Sequence, residues 1–180
     1  MTRTWCTLLI AAAVAVPAAA QEKPATTFPS YLQGQYAMLK KYIMGSAEKM
    51  PAEHFSFRPT PDVRTYAELL GHTMQAQFGY CSTVKGVANP TSGKELEKIV
   101  TDKAGVIQMV KDAFEYCDEV FAKLTNENAL EIITGGVPPN QRQLARANQL
   151  TMLVLHGNEH YGNLVTYMRI KGIVPPSSAQ

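Results

Sequence analysis

The segment QRQLARANQLTMLVLHGNEHYGNLVTYMRIK, residues 141–171, decides the fold. Leu150, Val154, Tyr161, Leu164 and Met168 recur in it at intervals of three, four and seven. Those intervals place them on one stripe of an α-helix. Gly172 follows where a helix C-cap belongs, and Pro175-Pro176 ends regular structure. A long helix with a single apolar stripe must bury that stripe against other helices.

Three more segments of the same kind precede it. Phe28 to Lys49 carries Leu32, Tyr36, Leu39 and Ile43 at helical spacing, and Pro51 stops it. Residues 51–63 hold three prolines and read as an ordered loop. A second helix runs from about Arg64 to Gly86, with Tyr66, Leu69, Leu70, Thr73, Gln77, Tyr80 and Val84 as its stripe. Asn89-Pro90-Thr91-Ser92-Gly93 is a break. The third helix covers Glu95 to Leu124, with Leu96, Ile99, Val106, Val110, Phe114, Cys117, Phe121 and Leu124 on one face. Residues 125–140 are a long connection with a short turn near Leu130 to Ile133. No alternating run of β-formers reaches strand length, and no repeat period is present. The expected fold is all-α, a four-helix bundle over residues 28–175, with 176–180 as a tail. The two long loops permit crossovers as well as up-down neighbours.

The chain has 180 residues, 46% apolar and 18% charged, which is enough for one cored domain. Its net charge of +2 is not the field of a phosphate-backbone binder, so no nucleic-acid partner is expected. Residues 1–20 read as a secretory signal peptide. Arg3 is the basic start, Leu8 to Val16 the apolar run, and Ala18-Ala19-Ala20 the small-residue site with cleavage before Gln21. The run is too short for a permanent anchor, so no membrane anchor is expected after cleavage and the mature protein is secreted or periplasmic. Cys81 and Cys117 then remain. An oxidising compartment favours a disulfide between them, and two buried free thiols are the alternative.

His156 and His160 are four apart on the fourth helix, so both imidazoles share one face. They sit on the flank of its stripe. His72 occupies the equivalent flank of the second helix, followed on its face by the small residues Ala76, Gly79 and Thr83. If the two flanks meet, three imidazoles line a cavity with polar walls. Three neutral His plus an open position is a catalytic metal set, and imidazole suits Zn, Ni, Cu or Fe(II). The competing reading is hydrogen-bonded core histidines. Gln75, Asn163 and Tyr167 are candidate pocket groups. His54 reads as a turn residue, Glu159 as a solvated carboxylate, and Lys94, Glu95, Glu97 and Lys98 as a solvated helix start.

The stretches Ala67-Glu68-Leu69-Leu70-Gly71-His72 and His156-Gly157-Asn158-Glu159-His160-Tyr161-Gly162-Asn163 resemble the two signatures of the DinB/YfiT-like family of metalloenzymes. The loop containing Phe57-Arg58-Pro59 resembles the one before that family's second helix. The resemblance covers about Phe28 to Pro175. It implies a four-helix bundle, a metal triad at His72, His156 and His160 holding Ni or Zn, and a homodimer. Where the family commonly has Arg-Gly-Gln after the last ligand, this chain has Tyr161-Gly162-Asn163. Characterised family activities are cytoplasmic thiol transfers and a maleylpyruvate isomerisation, whereas this chain resembles a secreted subgroup. The expected function is therefore a metal-dependent hydrolase or thiol/group transferase acting on an unknown small molecule. The alternative is a non-catalytic metal- or ligand-binding bundle.

Overall fold

The computed structural model describes residues 26–136 and 141–179, so the expected signal segment lies outside the described residues. Four long helices form the body: α1 (Phe28–Lys49), α2 (Tyr66–Lys85), α4 (Lys103–Ala122) and α5 (Arg146–Ile170). A short helix, α3 (Leu96–Ile99), precedes α4, and a two-stranded hairpin, β1 (Ile132–Gly135) and β2 (Arg142–Ala145), precedes α5. The stripes read from the sequence become the core. Leu39, Ile43, Leu70, Met74, Phe114 and Leu164 are fully enclosed. Burial of such side chains contributes about 1.5–3 kcal/mol each. Among the described residues, no helix is long and apolar enough to cross a membrane.

α2 packs against α4 and α5, and α1 packs against the same two helices. The helices α1 and α2 therefore lie across one diagonal, and α4 and α5 across the other. The connections from α1 to α2 and from α4 to α5 both cross a diagonal, which resolves the connectivity that the sequence left open. The crossovers make α2 and α5 neighbours.

Two expectations are corrected. The third helix is not continuous from Glu95. Val100 is extended, and the Asp102 side chain accepts the Gly105 N–H at 3.0 Å, so Asp102 is an N-cap that restarts the helix. The seven-residue interval from Ile99 to Val106 kept the stripe in phase and hid the break. Ile99, expected in the core, is exposed. The second correction is the hairpin, with Ile132 opposite Ala145 and Gly135 opposite Arg142. Its strands have four residues each, below the length at which alternation is readable. It moves the start of the last helix from Gln141 to Arg146. There, Glu131 and Ala129 carbonyls accept the Arg146 and Ala147 N–H groups, both at 2.9 Å. They replace the side-chain cap that Ala145 cannot supply.

The ends of the elements follow local chemistry. Thr27 and Ser30 form a capping box at α1, and Thr65 with Glu68 another at α2. Gly172 takes φ +73 just beyond α5, the left-handed position that glycine fills without strain. The expected tail is a 3-10 turn at Pro176–Ser178, whose Ser177 N–H donates to Tyr161 Oη at 2.9 Å.

Cys81 and Cys117 form a disulfide between α2 and α4, with Cα atoms 5.6 Å apart. Both cysteines are fully buried.

Candidate metal centre

The crossover topology sets α2 beside α5 and brings the two histidine flanks together. One ring nitrogen from each of His72, His156 and His160 lies within 4.8 Å of the other two. Among the described residues this is the one group of three side chains so placed. His156 Nε2 and His160 Nε2 are 3.1 Å apart. Two imidazole lone pairs do not face each other at that distance unless a hydrogen or a cation lies between them. The donor set therefore fits a divalent ion: three neutral nitrogens, close together, with one side open.

Burial holds all three imidazoles below their ordinary range. His160 falls to about 4, with the charges of His156 and His72 adding to the effect of burial. His72 is also pushed down by Arg64, and His156 by His72. Glu159 opposes the shift at each ring, so this carboxylate is close enough to be felt by the whole triad.

Two of the three outer nitrogens have polar neighbours. Asn163 Nδ2 lies 3.4 Å from His160 Nδ1. When His160 Nε2 offers its lone pair inward, Nδ1 carries the hydrogen, and a half-turn of the Asn163 carboxamide presents its oxygen as acceptor. Glu97 Oε2 lies 3.7 Å from His72 Nδ1 and accepts the Arg64 Nε–H at 2.7 Å.

Glu97 corrects the reading of residues 94–98 as a solvated helix start. Gly71, the residue before His72, is the cause. A Cβ there would lie 2.6 Å from Glu97 Cα and 2.7 Å from Glu97 N. Its absence lets α3 dock on α2. Gln75 completes the docking, because its Nε2 donates to the Lys94 carbonyl at 2.6 Å and its Oε1 accepts the Leu96 N–H at 2.9 Å. Gln75 is thus a brace for α3 and lines neither cleft beside the triad.

A cleft of about 680 Å³ opens onto His160, and Asn163, Tyr167, Arg58, Arg64 and Glu97 are on its walls. The Tyr167 hydroxyl donates to the Arg64 carbonyl at 2.7 Å. A second cleft, of about 750 Å³, lies along Ala76, Gly79 and Thr83, the small residues that follow His72. Tyr80 on its wall has its ring centre 6.0 Å from that of His156. His54 is not part of the cluster and sits in a 3-10 turn at Ala52–His54. Sequence reading gave Arg64 only as a helix start and Glu97 only as a solvated residue, and nothing in it joined the two, which are 33 residues apart. The one usable signal was Gly71 inside a helix, where a glycine without a turn to make marks close approach of another backbone.

Fold and site together define a class: a four-helix bundle with a metal-capable group of three histidines on two adjacent helices. The chain belongs to the DinB superfamily, whose family model matches residues 35–164 and so spans all three histidines. The chain is similar to the crystal structure of a DinB-like protein from Bacillus cereus ATCC 10987. The two are 17% identical, with 83% of this chain and 95% of that one covered and a TM-score of 0.65. A DinB-like protein from Bacillus subtilis is 20% identical, covers 79% and 92%, and has a TM-score of 0.61. A conserved protein from Enterococcus faecalis is 13% identical, covers 81% and 98%, and has a TM-score of 0.64. At these identities the likeness is one of fold. Comparison with curated proteins gives no match.

Proposed function

We propose that this protein is an exported, metal-dependent hydrolase or thiol/group transferase that holds one nickel or zinc ion on His72, His156 and His160. The observation that carries the reading is the approach of three ring nitrogens to within 4.8 Å of one another. When bound, the ion supplies a Lewis acid that polarises a carbonyl or acidifies a water or thiol. The chain's own residues do the rest. Glu97 Oε2 stands 3.7 Å from His72 Nδ1, just outside hydrogen-bond reach, so a small shift lets it accept the Nδ1–H and favour Nε2 as the ligand atom. Asn163 does the same for His160. Tyr167 and the loop containing Arg58 and Arg64 wall the cleft beside the open side of the triad, where a small molecule fits.

Export rests on the signal-like residues 1–20, and the Cys81–Cys117 disulfide supports it because such bonds persist in oxidising compartments. A homodimer belongs to the same reading and is checked by sedimentation.

The test is a screen of activated esters and thiol–electrophile pairs before and after chelation. The expected result is turnover that chelation abolishes while the helical circular dichroism stays. Metal binding with no turnover on either class supports a non-catalytic binding bundle instead. Unfolding on chelation makes the site structural and overturns the reading.

A further inference from the structure

The cleft beside His160 contains two guanidinium groups whose hydrogen-bonding capacity is largely unspent. Arg64 is fixed at both ends. Its carbonyl accepts the Tyr167 hydroxyl at 2.7 Å, and its Nε donates to Glu97 at 2.7 Å. Its Nη1 and Nη2 have no hydrogen-bond partner among the described residues. Arg58 reaches Glu68 only at 3.5 Å, the outer limit of a hydrogen bond. That same Glu68 oxygen is already held by the Thr65 N–H at 2.6 Å.

The other charges of the lining are mostly committed. Lys98 is paired with Glu95 at 2.7 Å. Glu97 is held by Arg64 and Glu68 by its own helix cap. Asp62, on the exposed loop, is the one lining carboxylate without a partner among the described residues. The lining carries as many carboxylates (Asp62, Glu68, Glu97) as cations (Arg58, Arg64, Lys98), so what it has in excess is unspent N–H donors rather than charge. The three neutral imidazoles bring no charge to offset a divalent ion, so a loaded centre would add positive charge beside those donors.

From this arrangement we infer that the cleft selects substrates carrying an oxyanion, a carboxylate or phosphate, held by Arg64 and Arg58 while the reacting group reaches the triad. This deepens the metal-enzyme reading and rests on it for the second half of the statement alone. A guanidinium whose Nε is already pinned presents its remaining edge at little entropic cost, and that edge matches two oxyanion oxygens. Arg64 is then a binding residue and Glu97 its positioning residue. Glu97 also serves His72, so one carboxylate would align the anion clamp with the metal centre.

The experiment titrates benzoate, phenyl phosphate and neutral benzamide into the mature full chain, as purified and again after EDTA treatment, followed by NMR. The expected result is that at least one anion binds at least about tenfold more tightly than benzamide, a difference of about 1.4 kcal/mol. The better of the two anions identifies the oxyanion. Arg64→Gln should remove most of that preference. Arg58→Gln, which changes an exposed side chain outside the core, should reduce it several-fold. Arg64→Lys should restore it only in part, because the charge returns without the fork. Benzamide binding as well as both anions, or anion binding unchanged in Arg64→Gln, overturns the inference. An arginine-dependent preference in a protein that takes up no metal keeps the clamp and removes the metal reading. Metal uptake without an anion preference does the reverse.

Discussion

Gly71 has no Cβ, and that absence decides where Glu97 sits. In Gly71→Ala the added carbon meets the Glu97 backbone at 2.6 Å, and a backbone cannot rotate away as a side chain can. The substitution should cost about 1–3 kcal/mol in denaturant unfolding. It should also weaken metal affinity, since α3 can no longer hold Glu97 beside His72. Glu97→Gln separates the two effects. It keeps the shape, so stability should change little. Metal affinity, read by competition with a chromophoric chelator, should fall about 10- to 100-fold, the usual cost of removing a ligand's orienting partner. Unchanged affinity in Glu97→Gln removes Glu97 from the site. The histidines themselves were legible in the sequence, because a spacing of four and a flank position are local facts. Arg64 and Glu97 were not, because nothing local shows that residue 97 returns to residue 64.

At the scale of elements, helix periodicity carried the reading where stripes were long. The stripes of α1 and α5 were read with their buried residues correct, and that of α2 with the exception of Tyr80, which is half-buried at the wall of the second cleft. It failed where pieces were short. The break at Asp102 and the four-residue strands fall below the window in which a period can be counted. The pairing of helices was also beyond reach, since two long loops fit either connectivity, and only the structure shows both as crossovers. The disulfide clamps α2 to α4, opposite the α2–α5 seam that holds the triad. Its sequence separation of 36 predicts a stabilisation of about 3–4 kcal/mol by chain entropy. Reduction should lower the melting temperature by about 10 °C while metal content stays unchanged. Metal loss on reduction at a temperature where the fold persists would show the clamp acting on the site.

For the whole molecule, the alkaline limit of stability follows from two phenols in the core. Burial raises Tyr66 and Tyr36 far above the ordinary 10.0, and the neighbouring Asp118 carboxylate adds to the shift at Tyr36. The folded state holds both protonated, whereas the unfolded chain ionises them near the ordinary value. Their contribution is therefore complete below about pH 10 and is lost as pH rises above it. Urea midpoints should be level up to that pH and fall beyond it, less steeply in Tyr36→Phe. A steep fall beginning well below pH 9 would assign the alkaline limit to other groups.

The bundle, the disulfide and the docked α3 serve one arrangement, three imidazoles at the α2–α5 seam with an open side toward a cleft. The most direct test is elemental mass spectrometry on the mature protein, purified without a histidine tag. The account predicts about one equivalent of nickel or zinc per chain, lost in each of His72→Ala, His156→Ala and His160→Ala. No metal after incubation with both ions, or full metal content in any one of the three variants, would contradict it.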